Sequence, residues 1–465
     1  MMPSKSRQHT DYQSAVSKLL SLADFERKSR ANDPPDFHLK RIERLLSYLG
    51  NPHHGQKYVH VAGSKGKGST SAMIAWALAA NGYKTGLFTS PSIHRITERI
   101  RVNGDPISES DFTDLVNDLW HAVEKVTVDG DIGVVSVFEL ETAMAFCHFT
   151  NSNVDMSVIE VGLGGRLDST NIITPLVSVI TPVSLDHVAV LGDTVELIAR
   201  EKAGIIKQGV PVVTAPQYPD ALRVIAAKAS EQGSELIESS TVVTITKEKN
   251  LGLDGTNLEI KTRNSIFSPH LRLLGRHQIE NATTAIAAIC VLEKTGIRID
   301  PTKISSGIEN VQWPARNQIV TTEPIPIFVD GAHNVDSARA LRKSVEALFP
   351  HSKNIFVILG TVRGHDPAAV ARELQPFKPI FITTESRHPK SLTNLELSKL
   401  LGECKIGVHQ STSNTSDALN VAKNLANEND LILGTGSLFV AAEIVEIEHK
   451  IEPELYADIK LPRRP

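Results

Sequence analysis

Cysteine is almost missing from this chain. Its 465 residues carry three, Cys147, Cys290 and Cys404, far apart and without metal-ligand spacing. That argues against a disulfide framework and fits a reducing, cytoplasmic setting. Cys147 and Cys290 fall in apolar helical runs and read as core residues. No run approaches the roughly 20 uninterrupted apolar residues of a membrane span. Met1 to Thr10 is basic but has no apolar stretch, so a secretory leader is not expected. Neither sign of charge dominates. The 49 Lys and Arg against 53 Asp and Glu leave a net charge of −4, which indicates neither a nucleic acid nor an anionic membrane as partner. There is no GxGxxG, no solenoid repeat and no low-complexity tract. The length exceeds what one core supports, so two or three domains are expected.

What is present centres on residues 58–70, Tyr-Val-His-Val-Ala-Gly-Ser-Lys-Gly-Lys-Gly-Ser-Thr, followed by the helix-forming run Ser71 to Ala80. A β-branched strand, a glycine turn and a helix start make a phosphate cradle. Gly63, Gly66 and Gly68 let backbone N–H groups turn toward one centre, and the helix start adds donors with partial positive charge. Ser64 and Lys65 complete the turn. Lys67 reaches terminal phosphate oxygens, and Ser69 or Thr70 offers a hydroxyl to Mg²⁺. The spelling G-x-x-G-K-G-S is a compressed form of the usual phosphate loop, because Val61 stands where its first glycine would fall.

The chain around this loop alternates strands and helices. Amphipathic helices are expected over 11–30, with Val16, Leu19, Leu20, Ala23 and Phe25 on one face, and from Leu39 to Leu49. Asn32-Asp33-Pro34-Pro35 separates them. A second strand, 84–89, ends at Ser90-Pro91, and helices follow at 109–126 and 137–149. Val154 to Val161 is a third strand that delivers Glu160 beside a glycine-rich loop, Gly162 to Asn171. A carboxylate at that position is where a nucleotide enzyme keeps its metal-orienting acid. The fourth strand, 176–181, leads to Asp186-His187, and His187 is read either as a structural histidine or as part of the site. A helix at 194–207 carries Lys202, which by itself reads as a solvated helix lysine. A fifth strand at 210–214 and a helix at 219–231 follow. Alternating segments at 241–246, 256–262 and 266–271 suggest a small antiparallel addition, before an apolar helix at 282–292. Gly296 to Pro301 reads as the interdomain hinge. Strands at 326–330, 354–359, 378–383, 406–409 and 430–434 then build a second, mostly parallel sheet.

Nine ordered motifs resemble the folylpolyglutamate synthase/dihydrofolate synthase family, within the ATP-dependent amide ligases that include the Mur ligases. They are Ala62 to Thr70, Thr89-Ser90-Pro91 with Glu98-Arg99-Ile100, Phe138-Glu139 with Thr142, Glu160 to Asn171, Asp186-His187 with Leu191-Gly192, Glu201 to Ile205, Gly275 to Asn281, Asp330 to Asn334, and Gly436-Ser437-Leu438. The resemblance covers about residues 11–445. It implies an α/β fold: an N-terminal P-loop NTPase-like parallel-sheet domain with a small antiparallel addition, residues 1–298, and a C-terminal Rossmann-like domain, residues 299–465. It implies that ATP activates the carboxylate of dihydropteroate or of a folate, and that the amine of L-glutamate attacks the acyl phosphate. By the same resemblance, Ser69, Ser90 and Glu160 form one Mg²⁺ site, and Glu160 and His187 a second. A monovalent cation such as K⁺ is an accessory. Lys202 matches a lysine carbamylated in this family. Asn281, Arg316, Asp330 and His333 hold the nucleotide from the second domain, and Phe138, Glu139, Leu167, Asp168 and Ser169 hold the pteroate. A monomer is expected. Four positions depart from the pattern: Ser92 for His, Val335 for Pro, Ala315 for Gly, and His365 for Lys. Alternatives are a polyglutamylating enzyme only, a ligase acting on a peptidoglycan precursor, and a nucleotide switch that ligates nothing.

Overall fold

The computed structural model describes residues 5–22 and 36–454. The first helix runs over Lys5–Leu20. The Ala23 and Phe25 end of the expected helix, and the Asn32 to Pro35 break, lie outside the described residues.

The first domain is built on eight strands: β1 Tyr58–Ala62, β2 Thr85–Phe88, β3 Ile100–Val102, β4 Asp105–Pro106, β5 Met156–Glu160, β6 Val177–Ile180, β7 Val212–Thr214 and β8 Leu236–Glu238. Their order is β4-β3-β2-β5-β1-β6-β7-β8. Neighbours from β2 to β8 are parallel, and β3 and β4 continue the sheet antiparallel. β1 and β5 are buried along their whole length because helices cover both faces. Helices Lys67–Ala80, Arg276–Lys294 and Pro301–Glu309 pack on one face, and Asp36–Tyr48, Glu109–Asp129 and Val137–Asn151 on the other. The 109–129 helix shows why. Phe112, Leu115, Val116, Leu119, Ala122, Val123 and Val126 form one buried stripe, Ser108 caps the start, and Gly130 at φ 71° ends it.

The addition consists of β9 Thr244–Asn250, β10 Thr256–Lys261, β11 Ile266–Phe267 and β12 His270–Leu271, all antiparallel to β10. β9 begins later than expected because Ser239–Val242 forms a helical turn. In the second domain, β13 Gln318–Thr321, β14 Ile327–Val329, β15 Ile355–Leu359, β16 Ile380–Thr383, β17 Gln410–Ser411 and β18 Leu431–Thr435 lie in the order β13-β14-β18-β15-β16-β17. Only β13 is antiparallel. The strand expected at 406–409 forms at Gln410–Ser411 instead.

The hinge expected at Gly296 to Pro301 is corrected by the packing. Ile304, Ile308 and Val311 belong to the first domain's core. Gly307 lies so close to the 67–80 helix that a Cβ there would come within 2.5 Å of Ala77 Cα. We therefore draw the boundary after Val311 rather than at 298/299.

Candidate active site

The sheet order creates the site. β1 lies between β5 and β6, so the loops leaving all three strands converge at one carboxyl edge. Register places Glu160 beside Val61, at the root of the glycine loop. The loop is stitched to the segment after β6: Ser64 and Lys65 N–H groups donate to Pro182 O at 2.9 and 3.1 Å, and Ser64 Oγ donates to Ser184 O at 2.9 Å. Those two amides are therefore not presented to a phosphate. The cradle proper is Gly66, at φ 80°, with the opening turn of the 67–80 helix. Gly63 is obligatory, since a Cβ there would fall 1.8 Å from Thr181 Oγ1. Lys67 Nζ rests on Gly63 O at 3.1 Å.

Charged groups gather around this cradle. Glu160 is buried and accepts from Ser90 N–H at 3.2 Å. Burial raises its carboxyl to about 7 against the pull of Lys67. Lys65 Nζ meets Asp186 Oδ2 at 3.2 Å. Burial works against ionisation of Asp186, yet Lys65 and the facing histidines hold it well below the usual carboxylate range. His187 does not end a strand. β6 stops at Ile180, and His187 sits further along the loop in the left-handed region at φ 49°. Burial lowers its imidazole to about 4.

Lys202 is not a solvated helix lysine: it is 3% exposed. Burial, with Lys67 nearby, lowers its amine to about 7. Its helix, Val195–Ala203, is held against the 162–171 loop by close backbone approaches. A Cβ at Gly165 would come within 2.7 Å of Glu201 O, and one at Gly204 within 2.4 Å of Arg166 Cβ. Arg166 pairs with Glu201 at 2.9 Å, and Asn171 Nδ2 donates to both Arg166 O and Gly204 O.

Asn281 comes from the first domain, a correction to its expected origin. It lies in the Arg276–Lys294 helix, bonded to Gln278 at 3.0 Å, and its Oδ1 packs against Gly66. The second domain brings the half-buried Arg316, whose charge faces Asp330 and Glu160. Asp330 accepts from Asn317 N–H at 2.8 Å. His333 donates from Nδ1 to Gly331 O at 2.8 Å, which leaves Nε2 to accept from Lys65 Nζ at 3.4 Å. His365 lies against His333, ring centroids 4.5 Å apart.

The expected pteroate residues line the same cleft. Phe138 lies over Gly162, where a Cβ would come within 2.5 Å of its ring, and 5.7 Å from the Phe88 ring. Glu139 is occupied by Arg41 Nε at 2.8 Å and by its capping box with Ser136. Asp168 holds its own loop, accepting from Leu163 and Thr170 N–H groups at 2.9 and 3.0 Å. Leu167 is half-buried and Ser169 buried. Sequence reading missed Arg41 and Trp313. Trp313 lies against Gly68 and makes an edge contact with Trp76 at 6.5 Å. Its position before Pro314, at the domain changeover, was the available signal.

Among the described residues no group of three or more His, Cys, Asp or Glu could hold a metal by itself. A cation at Glu160 would therefore complete its shell with serine hydroxyls, phosphate and water, a donor set that suits Mg²⁺. No described helix is long and apolar enough to cross a membrane. The two domains face each other across a cleft of about 3890 Å³ lined from both sides.

Residues 113–289 match the Mur ligase middle domain, and 315–438 the Mur ligase glutamate ligase domain. With the phosphate cradle facing a second α/β domain, these define an ATP-dependent carboxylate–amine ligase. The chain is 35% identical over 410 residues to the dihydrofolate synthase/folylpolyglutamate synthase of Bacillus subtilis, covering 87% of this chain and 94% of that one. It is 36% identical to the folylpolyglutamate synthase of Lacticaseibacillus casei, covering 87% and 93%. Among solved structures it resembles Mycobacterium tuberculosis folylpolyglutamate synthase complexed with ADP, with a TM-score of 0.86, 27% identity, and coverage of 96% and 100%. The chain belongs to the dihydrofolate synthase/folylpolyglutamate synthase family.

Proposed function

We propose that this enzyme joins L-glutamate to dihydropteroate and to the γ-carboxylate of reduced folates. The observation that carries this reading is the convergence of Lys65, Lys67, Glu160, His187 and Lys202 at the edge of the first sheet, opposite Arg316, Asp330 and His333. The near full-length match to a dihydrofolate synthase/folylpolyglutamate synthase supports both substrates, and a relative solved as an AMPPCP and folate complex, TM-score 0.80 and 32% identical, supports the pairing of ATP with a folate.

In this reading the carboxylate oxygen of the acceptor attacks the γ-phosphorus of ATP, and ADP leaves. The glutamate amine then attacks the acyl carbon, loses a proton, and expels phosphate as the amide forms. Gly66, Lys67, Gly68 and Ser69 hold the phosphates, with Lys67 meeting charge that develops on the transferred group. Asn281 orients the loop, and Arg316, Asp330 and His333 hold the nucleotide from across the cleft. Phe138 and Leu167 supply the apolar wall for the pteridine, while Glu139, Asp168 and Ser169 shape it. Ser69, Ser90, Glu160 and His187 are the protein groups that would hold two Mg²⁺ ions, which neutralise phosphate charge during transfer. Lys202 reacts with CO₂ as a neutral amine to give a carbamate. Its burial favours the neutral form, and the sheltering glycine contacts favour the adduct. Domain closure keeps water from the acyl phosphate. The chain works as a monomer, since one copy supplies both walls.

The test is ADP release, which should require L-glutamate together with either dihydropteroate or a reduced folate, with the glutamylated product seen by mass spectrometry. Activity on reduced folate alone would leave only the polyglutamylating step. ADP release independent of both acceptors would refute ligation.

A further inference from the structure

The loop that follows β2 leaves the first domain and docks on the second. Ile93 packs into the apolar cluster of the second domain, with Val329, Ile358 and Ala441. His94 Nδ1 meets Glu446 Oε1 at 2.9 Å, and both side chains are nearly buried, 10% and 3% exposed. Arg387 pairs with Glu446 from the other side and holds the carboxylate in place. Beyond the last helix, Glu454 accepts from Ile96 N–H at 2.8 Å and is also bonded by Tyr12. The loop between these ties is stiff. One carboxylate, Glu98, accepts from three successive amides, Ile93, His94 and Arg95, at 3.0, 3.1 and 3.1 Å.

Both ends of this arrangement lead to the phosphate site. Three residues before Ile93 is Ser90, whose N–H meets Glu160. At the other end, Glu446 lies on the helix Leu438–His449. The first residue of that helix packs on Gly331, where a Cβ would come within 3.0 Å of Leu438 Cδ1. Gly331 belongs to the Asp330 to Asn334 segment facing the nucleotide. One rigid helix therefore touches the nucleotide segment at its start and the Ser90 loop through Glu446 near its end.

We propose that Glu446 and His94 form a clip that carries the position of the second domain to Ser90 and Glu160, which makes both positioning residues for the ligation. This rests on the assignment of Ser90 and Glu160 to the phosphate end of the site. A buried polar pair is seldom needed for stability alone, because apolar residues of the same size do as well. What it adds here is register: a directional bond that is made only when the domains meet in one arrangement.

The experiment compares the full-length enzyme with Glu446→Ala, His94→Ala, His94→Asn and Glu160→Gln. Hydrogen exchange of the amides of Ser90 and of residues 92–95, and the Mg²⁺ concentration for half-maximal activity, are both measured. Losing a charge-assisted bond is expected to raise both by about tenfold in Glu446→Ala and His94→Ala. His94→Asn keeps a donor near the Nδ1 position and should restore both. Unchanged exchange and Mg²⁺ requirement in the two alanine variants would overturn the clip. So would an activity loss that follows only a lower melting temperature, or one that His94→Asn does not rescue. If Glu160→Gln shifts the Mg²⁺ requirement while the clip variants are silent, the clip alone fails. If Glu160→Gln leaves it unchanged, the assignment of Glu160 fails, and the clip as a link to it fails too.

Discussion

Among the described residues Lys67 has no ion-pair partner; it rests on the Gly63 carbonyl beside the cradle. Lys67→Ala should therefore lose about 10²-fold or more in turnover while the melting temperature stays near that of the parent. Steady-state kinetics and a thermal melt together check this. Lys202 carries a pH dependence whose sign is fixed. Its ordinary value near 10.5 falls to about 7 in the fold. Between those values the unfolded chain holds a proton that the folded one lacks, so stability should rise with pH across that window. Carbamate needs the neutral amine, so ¹³CO₂ adduct seen by NMR should increase as pH rises through about 7. Occupancy that falls over that range would contradict the assignment. Ala315 holds φ 56°, a left-handed conformation that costs an L-residue about 1 kcal/mol. Ala315→Gly should relieve that strain, partly offset by unfolded-chain entropy, for a gain of up to about 1 kcal/mol in denaturant unfolding. These residues differ in how far the sequence exposes them. Lys67 is legible because neighbours in sequence define its role. Glu139 is not, because the partner that occupies it, Arg41, is far away in the chain and joins it only in the folded core.

At the scale of elements, the strands that carry the site were legible because each is a short apolar run ending in a polar turn. β1, β2, β5 and β6 all lie within the expected segments. The edge strands were not: β8, β13 and β17 have two to four residues and no repeating pattern to separate them from loop. Lys202 shows the same limit from another direction. Helical periodicity places it on a helix but cannot say that a glycine loop covers it. The covering depends on Gly165 and Gly204, which bring loop and helix backbones together. Gly165→Ala must push Glu201 and Lys202 away, at a cost of about 1–3 kcal/mol. We expect lower stability together with loss of ¹³CO₂ adduct and activity. An alanine variant that keeps full adduct would show that the close approach is not what shelters Lys202.

For the whole molecule, the two halves share the work. In the proposed reaction the first domain holds phosphates at the edge of its sheet, and Arg316, Asp330 and His333 of the second domain line the same cleft across from it. The domain boundary was misplaced from sequence because a glycine followed by Asp-Pro looks like a linker. The helix after it is nonetheless covered by the first domain, through Gly307. A nucleotide that bridges the cleft should stabilise the fold by about 2.7 kcal/mol at a hundredfold excess over its dissociation constant. A thermal melt with ADP or AMPPCP measures this, and Asp330→Ala should reduce the gain.

In the proposed reaction ATP activates a carboxylate as an acyl phosphate before glutamate attacks. Attack by the amine breaks the bond between the acyl carbon and the phosphate-bearing oxygen, so that oxygen leaves with phosphate. The measurement is single-turnover ligation with an acceptor whose reacting carboxylate carries ¹⁸O at both oxygens, followed by mass spectrometry of the inorganic phosphate. One ¹⁸O is expected in the phosphate formed with each amide, with ADP as the other product. Unlabelled phosphate, or label appearing in AMP, would rule out the acyl-phosphate route.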